Sequence, residues 1–214
     1  MKLGAVGLLA ALVMLSGSAV SAADLMEPYP IVDDGTLVSP FAGGYVGGDL
    51  GYSSGVVSAS NHPDFNMSGF SIGAQTGYNF ELGNGFVLGG QADTDWSNAT
   101  GSDNIALDAK LNWKASLTGH VGYAMDWFMP YLLGGVAIGN ADGTVTVGPV
   151  GTNNQTFIGW TAGAGAEVKL AGNVTGFVEY RYSDYGSKAF TIAGITTPQS
   201  YKDSAIRTGL NFHF

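Results

Sequence analysis

Asp49, Asp93, Glu179, Arg181 and Arg207 are the residues of this chain whose types and spacing could do chemistry. Asp93 and Asp95 lie two positions apart, as do Glu179 and Arg181, so in an extended segment each pair shares one face. Paired carboxylates can work as general acid and base. A fork-shaped guanidinium can bridge two carboxylates, which a lysine does less well. The surroundings that would turn such groups into an enzyme are missing, since the chain contains no Gly-x-Ser-x-Gly elbow, Gly-rich phosphate loop or His-Glu-x-x-His. His62, His120 and His213 fall on separate elements without ligand spacing, and there is no cysteine. The expectation is no catalytic residue, no metal, no cofactor and no enzyme.

The elements that must position these charges are strands. In the last stretch, Tyr201 to Phe214, Ile206, Thr208, Leu210, Phe212 and Phe214 alternate with Ala205, Arg207, Gly209, Asn211 and His213. This period of two separates an apolar face from a polar one. The same alternation carries Asp49 opposite Val46, Leu50 and Tyr52, and Asp93 opposite Phe86, Leu88 and Trp96. It places Glu179 and Arg181 opposite Val178, Tyr180 and Tyr182. Further strands are read over 70–81, 110–123, 131–138 and 158–168. Leu133 and Phe177 are exceptions on the polar face, and Leu111 is assigned to the apolar one. Eight strands result, each expected to have about the 9–11 residues that cross a bilayer when tilted.

Connections alternate in length. Tight turns are expected near 83–85, 126–127 and 171–172, and long polar loops near 54–68, 97–108, 140–155 and 184–200. The fold class is therefore all-β, an eight-stranded antiparallel up-and-down transmembrane β-barrel, with Arg207 on the closing strand next to both the first strand and the seventh.

Composition decides which face meets lipid. Charged residues are only 12% of the 214, Gly accounts for 34, and the polar faces hold mostly Gly, Ser, Thr, Asn and Gln. A soluble barrel of lipocalin type should instead carry interspersed charges outside. Tyr52, Trp96, Trp113, Tyr123, Trp160 and Tyr182 fall near strand ends on the apolar face, where interfacial aromatic girdles belong. The polar face then lines the lumen, where Asp49, Asp93, Glu179, Arg181 and Arg207 are expected to form a network. Its centre is Arg207, with Glu179 and Asp49 as acceptors, in a bore that side chains can fill.

The chain begins with Lys2, an apolar run from Leu3 to Val20 and the small residues Ser21-Ala22-Ala23. This is read as a signal peptide over 1–23, followed by an extended, poorly ordered leader over 24–42 and the barrel over 43–214. Removing Lys2 leaves seven basic residues against 17 acidic ones, a net charge of −10. No basic footprint for nucleic acid is present.

GWTAGAGAEVKL (159–170), FVEYRYSDYGS (177–187), RTGLNFHF (207–214) and GGYVGGDLGYS (43–53) resemble the alphaproteobacterial outer-membrane β-barrel family related to the OmpA membrane domain. The resemblance implies insertion by the outer-membrane assembly machinery, with the terminal Phe214 as part of the recognition signal. It also implies a surface protein of the outer membrane of a Gram-negative bacterium, in contact with lipid and lipopolysaccharide. Both barrel termini are expected in the periplasm, and homo-oligomer formation is left open. The function read from this is a structural and surface-antigen role in envelope integrity, with a side-chain-plugged lumen and exposed loops. The alternatives are a weak porin for small solutes and a loop-borne adhesin or haemin-binding protein.

Overall fold

The computed structural model describes residues 39–59, 64–102, 107–145, 151–192 and 195–214. The expected signal peptide, the leader up to residue 38 and His62 lie outside the described residues. Nine strand segments follow one another: β1 (Gly43–Ala59), β2 (Phe65–Gly83), β3 (Phe86–Ser97), β4 (Thr100–Ser102), β5 (Leu107–Tyr123), β6 (Phe128–Val145), β7 (Gly151–Ala171), β8 (Val174–Ile192) and β9 (Ile195–His213). β4 continues β3 after the interruption at Asn98 and Ala99, because both segments pair with β2 and β5. The nine segments therefore make eight staves. All neighbours are antiparallel, and β1 pairs with both β2 and β9, so the sheet closes on itself. The seam runs from Tyr45 opposite His213 to Ala59 opposite Gln199. Closure satisfies the backbone groups that a free edge would leave unpaired.

The short turns fall where alternation breaks. Asn84 and Gly85 take φ of 53° and 83° between β2 and β3. Two positive φ values match the twist of a two-residue hairpin, and Asn and Gly are the residues that adopt them. Gly172-Asn173 joins β7 to β8, and residues 124–127 join β5 to β6.

The other rim departs from expectation. The stretches read as long loops are largely strand, and the main segments run to 17–21 residues, β3 excepted. β1 continues to Ala59, β6 to Val145 and β8 to Ile192. The physical reason lies in the side chains. On the exterior, Leu50, Ile72, Leu88, Leu117, Leu132, Val136, Val178, Ile206 and Leu210 are exposed along the middle of the barrel while the interior is polar. Farther along the same strands, Ser54, Asn66, Ser68, Thr100, Lys110 and Lys202 face outward. There Val57, Phe65, Met67, Ala99, Leu111, Ala137, Phe157, Tyr185 and Tyr201 are buried together inside. The polarity of the wall is inverted, and the interior becomes an apolar core like that of a water-soluble barrel. Such a core keeps the strands paired beyond any bilayer.

Leu111 belongs to this inner cluster and not to the lipid face assigned from alternation. A register shift between Leu111 and Trp113 in the β5–β6 ladder turns it inward, leaving it 2% exposed. A bulge of this kind costs one residue of phase, so parity read from one side fails on the other.

Part of the high glycine content follows from filling a narrow bore. Tyr45 lies opposite Gly77, Asp49 opposite Gly73 and Gly209, and Arg207 opposite Gly51. Glu179 and Arg181 lie opposite Gly165 and Gly163. Eight strands leave only enough room for side chains, so each large inward residue needs a neighbour that contributes none.

Residues 39–42 also differ from the extended leader expected. Ala42 N–H donates to Ser39 C=O at 3.0 Å, and Phe41 is fully buried against Val87 and Met129 at the short-turn end. Asn79 Nδ2 donates to Phe41 C=O at 2.7 Å, and Ser39 N–H donates to Glu81 Oε2 at 3.0 Å. Pro40 sits at the second position of this turn, where its fixed φ is favoured.

Candidate functional site

The candidate site is the filled bore, built in tiers. Phe41, Val87 and Met129, with Ala124 and Tyr131 against them, close the short-turn end. Above them runs a neutral hydrogen-bonded tier. Tyr45 Oη donates to Gln91 Oε1 at 2.8 Å, Gln91 Nε2 to Gln75 Oε1 at 3.3 Å, and Gln75 Nε2 to Asn211 Oδ1 at 2.6 Å. Asn211 Nδ2 then reaches Glu167 Oε1 at 2.9 Å.

Asp49, Asp93, Glu179, Arg181 and Arg207 meet in the next tier. Arg207 holds Asp49 with two bonds, Nε to Oδ1 at 3.1 Å and Nη2 to Oδ2 at 2.8 Å. Its contact with Glu179 is longer, 3.5 Å from Nη1, and Asp93 and Asp95 lie at 3.5 and 3.4 Å. Glu179 is held more closely by Arg181, whose Nε donates at 2.9 Å, and by Tyr131 Oη at 3.1 Å. Arg181 Nη1 donates to Asp93 Oδ1 at 2.9 Å and to Ser116 Oγ at 2.7 Å. Two guanidiniums thus share four carboxylates. Every one of these residues is buried. Charges removed from water need such multiple partners, because each unpaired ion would carry a large desolvation cost.

Some partners were not singled out from the sequence. Lys114 Nζ pairs with Asp203 Oδ2 at 2.8 Å, one tier beyond Arg207. Parity with Arg207 on the last strand was the available signal for Asp203. Glu167 accepts from His213 Nε2 at 3.0 Å and from Thr175 Oγ1 through a short bond. Thr175 Oγ1 is 3.1 Å from the same His213 nitrogen. A hydroxyl, an imidazole and a carboxylate are the parts of a nucleophilic triad, but here both oxygens converge on one ring nitrogen. A relay needs the hydroxyl on one nitrogen and the carboxylate on the other. His120 instead meets Asn79 Oδ1 at 2.8 Å. No group of three or more ligating side chains able to hold a metal occurs among the described residues.

The exterior completes the picture. Tyr52, Trp96, Tyr123 and Trp160 are exposed, and Trp113 and Tyr182 are half-buried. Trp96 pairs directly across from Trp113, and Trp160 and Tyr182 meet in a tilted ring contact with centroids 5.6 Å apart. Toward the short-turn rim, Phe80, Phe86, Tyr123, Trp127 and Phe214 form a second belt. Along β3 the ten-residue step from Phe86 to Trp96 spans about 26 Å at ~3.4 Å per residue and a ~40° tilt, the height of an outer-membrane apolar band. Phe214 donates its backbone N–H to Gly44 C=O at 2.9 Å, with its ring exposed.

A closed eight-stave barrel with a lipid-facing band between aromatic belts and a packed polar interior defines an outer-membrane β-barrel. The chain belongs to the family described as "Outer membrane protein beta-barrel domain", whose model matches residues 9–214. It is 35% identical over 210 residues to the 25 kDa outer-membrane immunogenic protein of Brucella abortus, covering 96% of this chain and 95% of that one. It is 31% identical over 172 residues to a 22 kDa outer membrane protein of Rhizobium leguminosarum, covering 80% and 77%. These relatives place it in an alphaproteobacterial outer-membrane family. The crystal structure of Neisserial surface protein A matches it in fold, with a TM-score of 0.52 and 19% identity over 81% of this chain and 98% of that one.

Proposed function

We propose that this chain is a non-conducting structural barrel of the outer membrane that contributes to envelope integrity and holds a surface outside the cell. The observation that carries this reading is the seal at both ends of the bore. Phe41, Val87 and Met129 block one end, the nine-residue apolar cluster around Phe157 blocks the other, and ion-paired side chains fill the space between. An apolar constriction excludes water and with it hydrated ions. Both termini lie in the periplasm, since short turns belong on that side and long connections outside. Phe214, on the seam-closing strand, serves as the assembly signal. The strand extensions stand clear of the lipid, which suits a surface antigen, and the Brucella relative is named an outer-membrane immunogenic protein.

Recording from planar bilayers tests this reading. The purified barrel is expected to give no steady openings. Stepwise conductance that scales with salt would overturn the sealed bore and favour the porin alternative.

A further inference from the structure

Between the charged tier and the apolar cluster lies a small cavity of about 20 Å³, lined among others by Asp95, Lys114, Arg181, Asp203, Ala205 and Arg207. Two buried carboxylate oxygens of its lining residues accept no hydrogen bond, Asp95 Oδ1 and Asp203 Oδ1, and Arg181 Nη2 makes only an ion-pair contact, 2.7 Å from Glu179 Oε1, that uses one of its two N–H groups. Their residues are 4%, 2% and 6% exposed. The other atoms of these groups are engaged. Asp203 Oδ2 receives Lys114 at 2.8 Å, and Arg181 uses Nε and one side of Nη2 for Glu179 and Nη1 for Asp93 and Ser116. Arg207 Nη2 is 3.4 Å from Asp95 Oδ1, an ion-pair contact that leaves this oxygen without a hydrogen bond.

We infer that this cavity binds one internal water molecule, which donates to Asp95 Oδ1 and Asp203 Oδ1 and accepts from the second N–H of Arg181 Nη2, the one not directed at Glu179. The volume exceeds the ~10–15 Å³ that a single water needs, and three polar partners is the usual number for a buried one. The donor–acceptor count selects the occupant. Two acceptors and one donor match a molecule with two O–H bonds and a lone pair to offer. A metal cation would meet the Arg181 and Arg207 guanidiniums and the Lys114 ammonium. An anion would meet the Asp95 and Asp203 carboxylates. The water joins two ion-pair systems that make no direct contact through these atoms, Lys114–Asp203 on one side and Arg181 with Asp93 and Glu179 on the other.

The site is tested on the full barrel in detergent micelles. A crystal structure that orders internal solvent is expected to show one peak within about 2.7–3.2 Å of all three atoms. Nuclear Overhauser transfer from a long-lived water to the backbone amides around Asp95, Arg181 and Asp203 should accompany it. In Ala205→Val, whose methyl groups occupy the cavity, the peak and the transfer are expected to vanish. Three findings would overturn the inference: an empty cavity with Asp203 turned directly onto Arg181, a peak at metal-ligand distance with Arg181 turned away, or unchanged transfer in the valine variant.

Discussion

Arg207 grips Asp49 through two nitrogens across the seam where the last strand meets the first, joining residues 158 positions apart in the chain. The same guanidinium lies within 3.5 Å of Asp93, Asp95 and Glu179, so it is the shared counter-charge of the tier. Arg207→Ala is expected to lower unfolding stability by about 3–5 kcal/mol, because it strands buried carboxylates. Arg207→Lys should recover part of that loss, since one ammonium cannot reproduce the two-bond grip. Urea titration in detergent, followed by the shift in gel mobility between folded and boiled protein, measures both. Wild-type stability in Arg207→Ala would remove the tier from any account of what holds the barrel.

Glycines on the two faces of the wall should respond differently to substitution. A Cβ at Gly73 would lie 2.6 Å from Asp49 Oδ2 and would also press on Asp95, whereas one at Gly134 would meet nothing nearer than Thr161 C=O at 3.7 Å. Gly73→Ala is expected to cost about 1–3 kcal/mol through overpacking. Gly134→Ala, on the lipid face, should stay within about 0.5 kcal/mol of the parent. Equal effects in the same titration would show that the bore has slack the tiers do not reveal.

Phe41→Ala removes the fully buried aromatic ring of the short-turn plug. The expected loss is about 3–5 kcal/mol, from lost burial and the cavity left behind. The variant should become heat-sensitive on gels at a lower temperature than the parent. An unchanged transition would mean that the plug docks without contributing to stability.

The inversion of the wall is open to a pair of arginine substitutions. Leu117 is 62% exposed in the middle of the lipid-facing band, and Leu117→Arg should cost about 2–4 kcal/mol there. Ser68 also points outward, but beyond the aromatic belt, so Ser68→Arg should be close to neutral. Refolding yields and unfolding midpoints in lipid vesicles compare the two. A comparable penalty at Ser68 would put that position in hydrocarbon.

Much of this was legible in the sequence, for a physical reason. Period-two alternation is a local property, and eight repeats of it, with Asn84-Gly85 and Gly172-Asn173 between them, specify staves and closure together. Arg207 could be placed beside Asp49 and Glu179 because closure makes the last strand a neighbour of the first and the seventh. Three features escaped. Alternation misassigns Leu111 because a single bulge reverses parity and leaves no trace in composition. The strand extensions resemble loops in sequence because their outward residues, Ser54, Asn66, Ser68 and Thr100, are those that loops also use. The burial of Phe41 escaped because a turn of four residues has no period to detect. Within the tiers, residue type and parity identified which side chains enter the bore. They did not resolve which of Asp49 and Glu179 Arg207 holds more tightly, since that depends on side-chain reach.

The exchange of inside and outside character along each strand also acts as a depth gauge. Sinking the molecule by a few residues would drag Ser68, Thr100 and Lys110 into oil, and raising it would lift Leu50 and Ile72 into water. Either displacement is opposed on every stave at once. The barrel therefore rides at one height in its bilayer, and the polar ends of its staves are held at a constant distance from the surface.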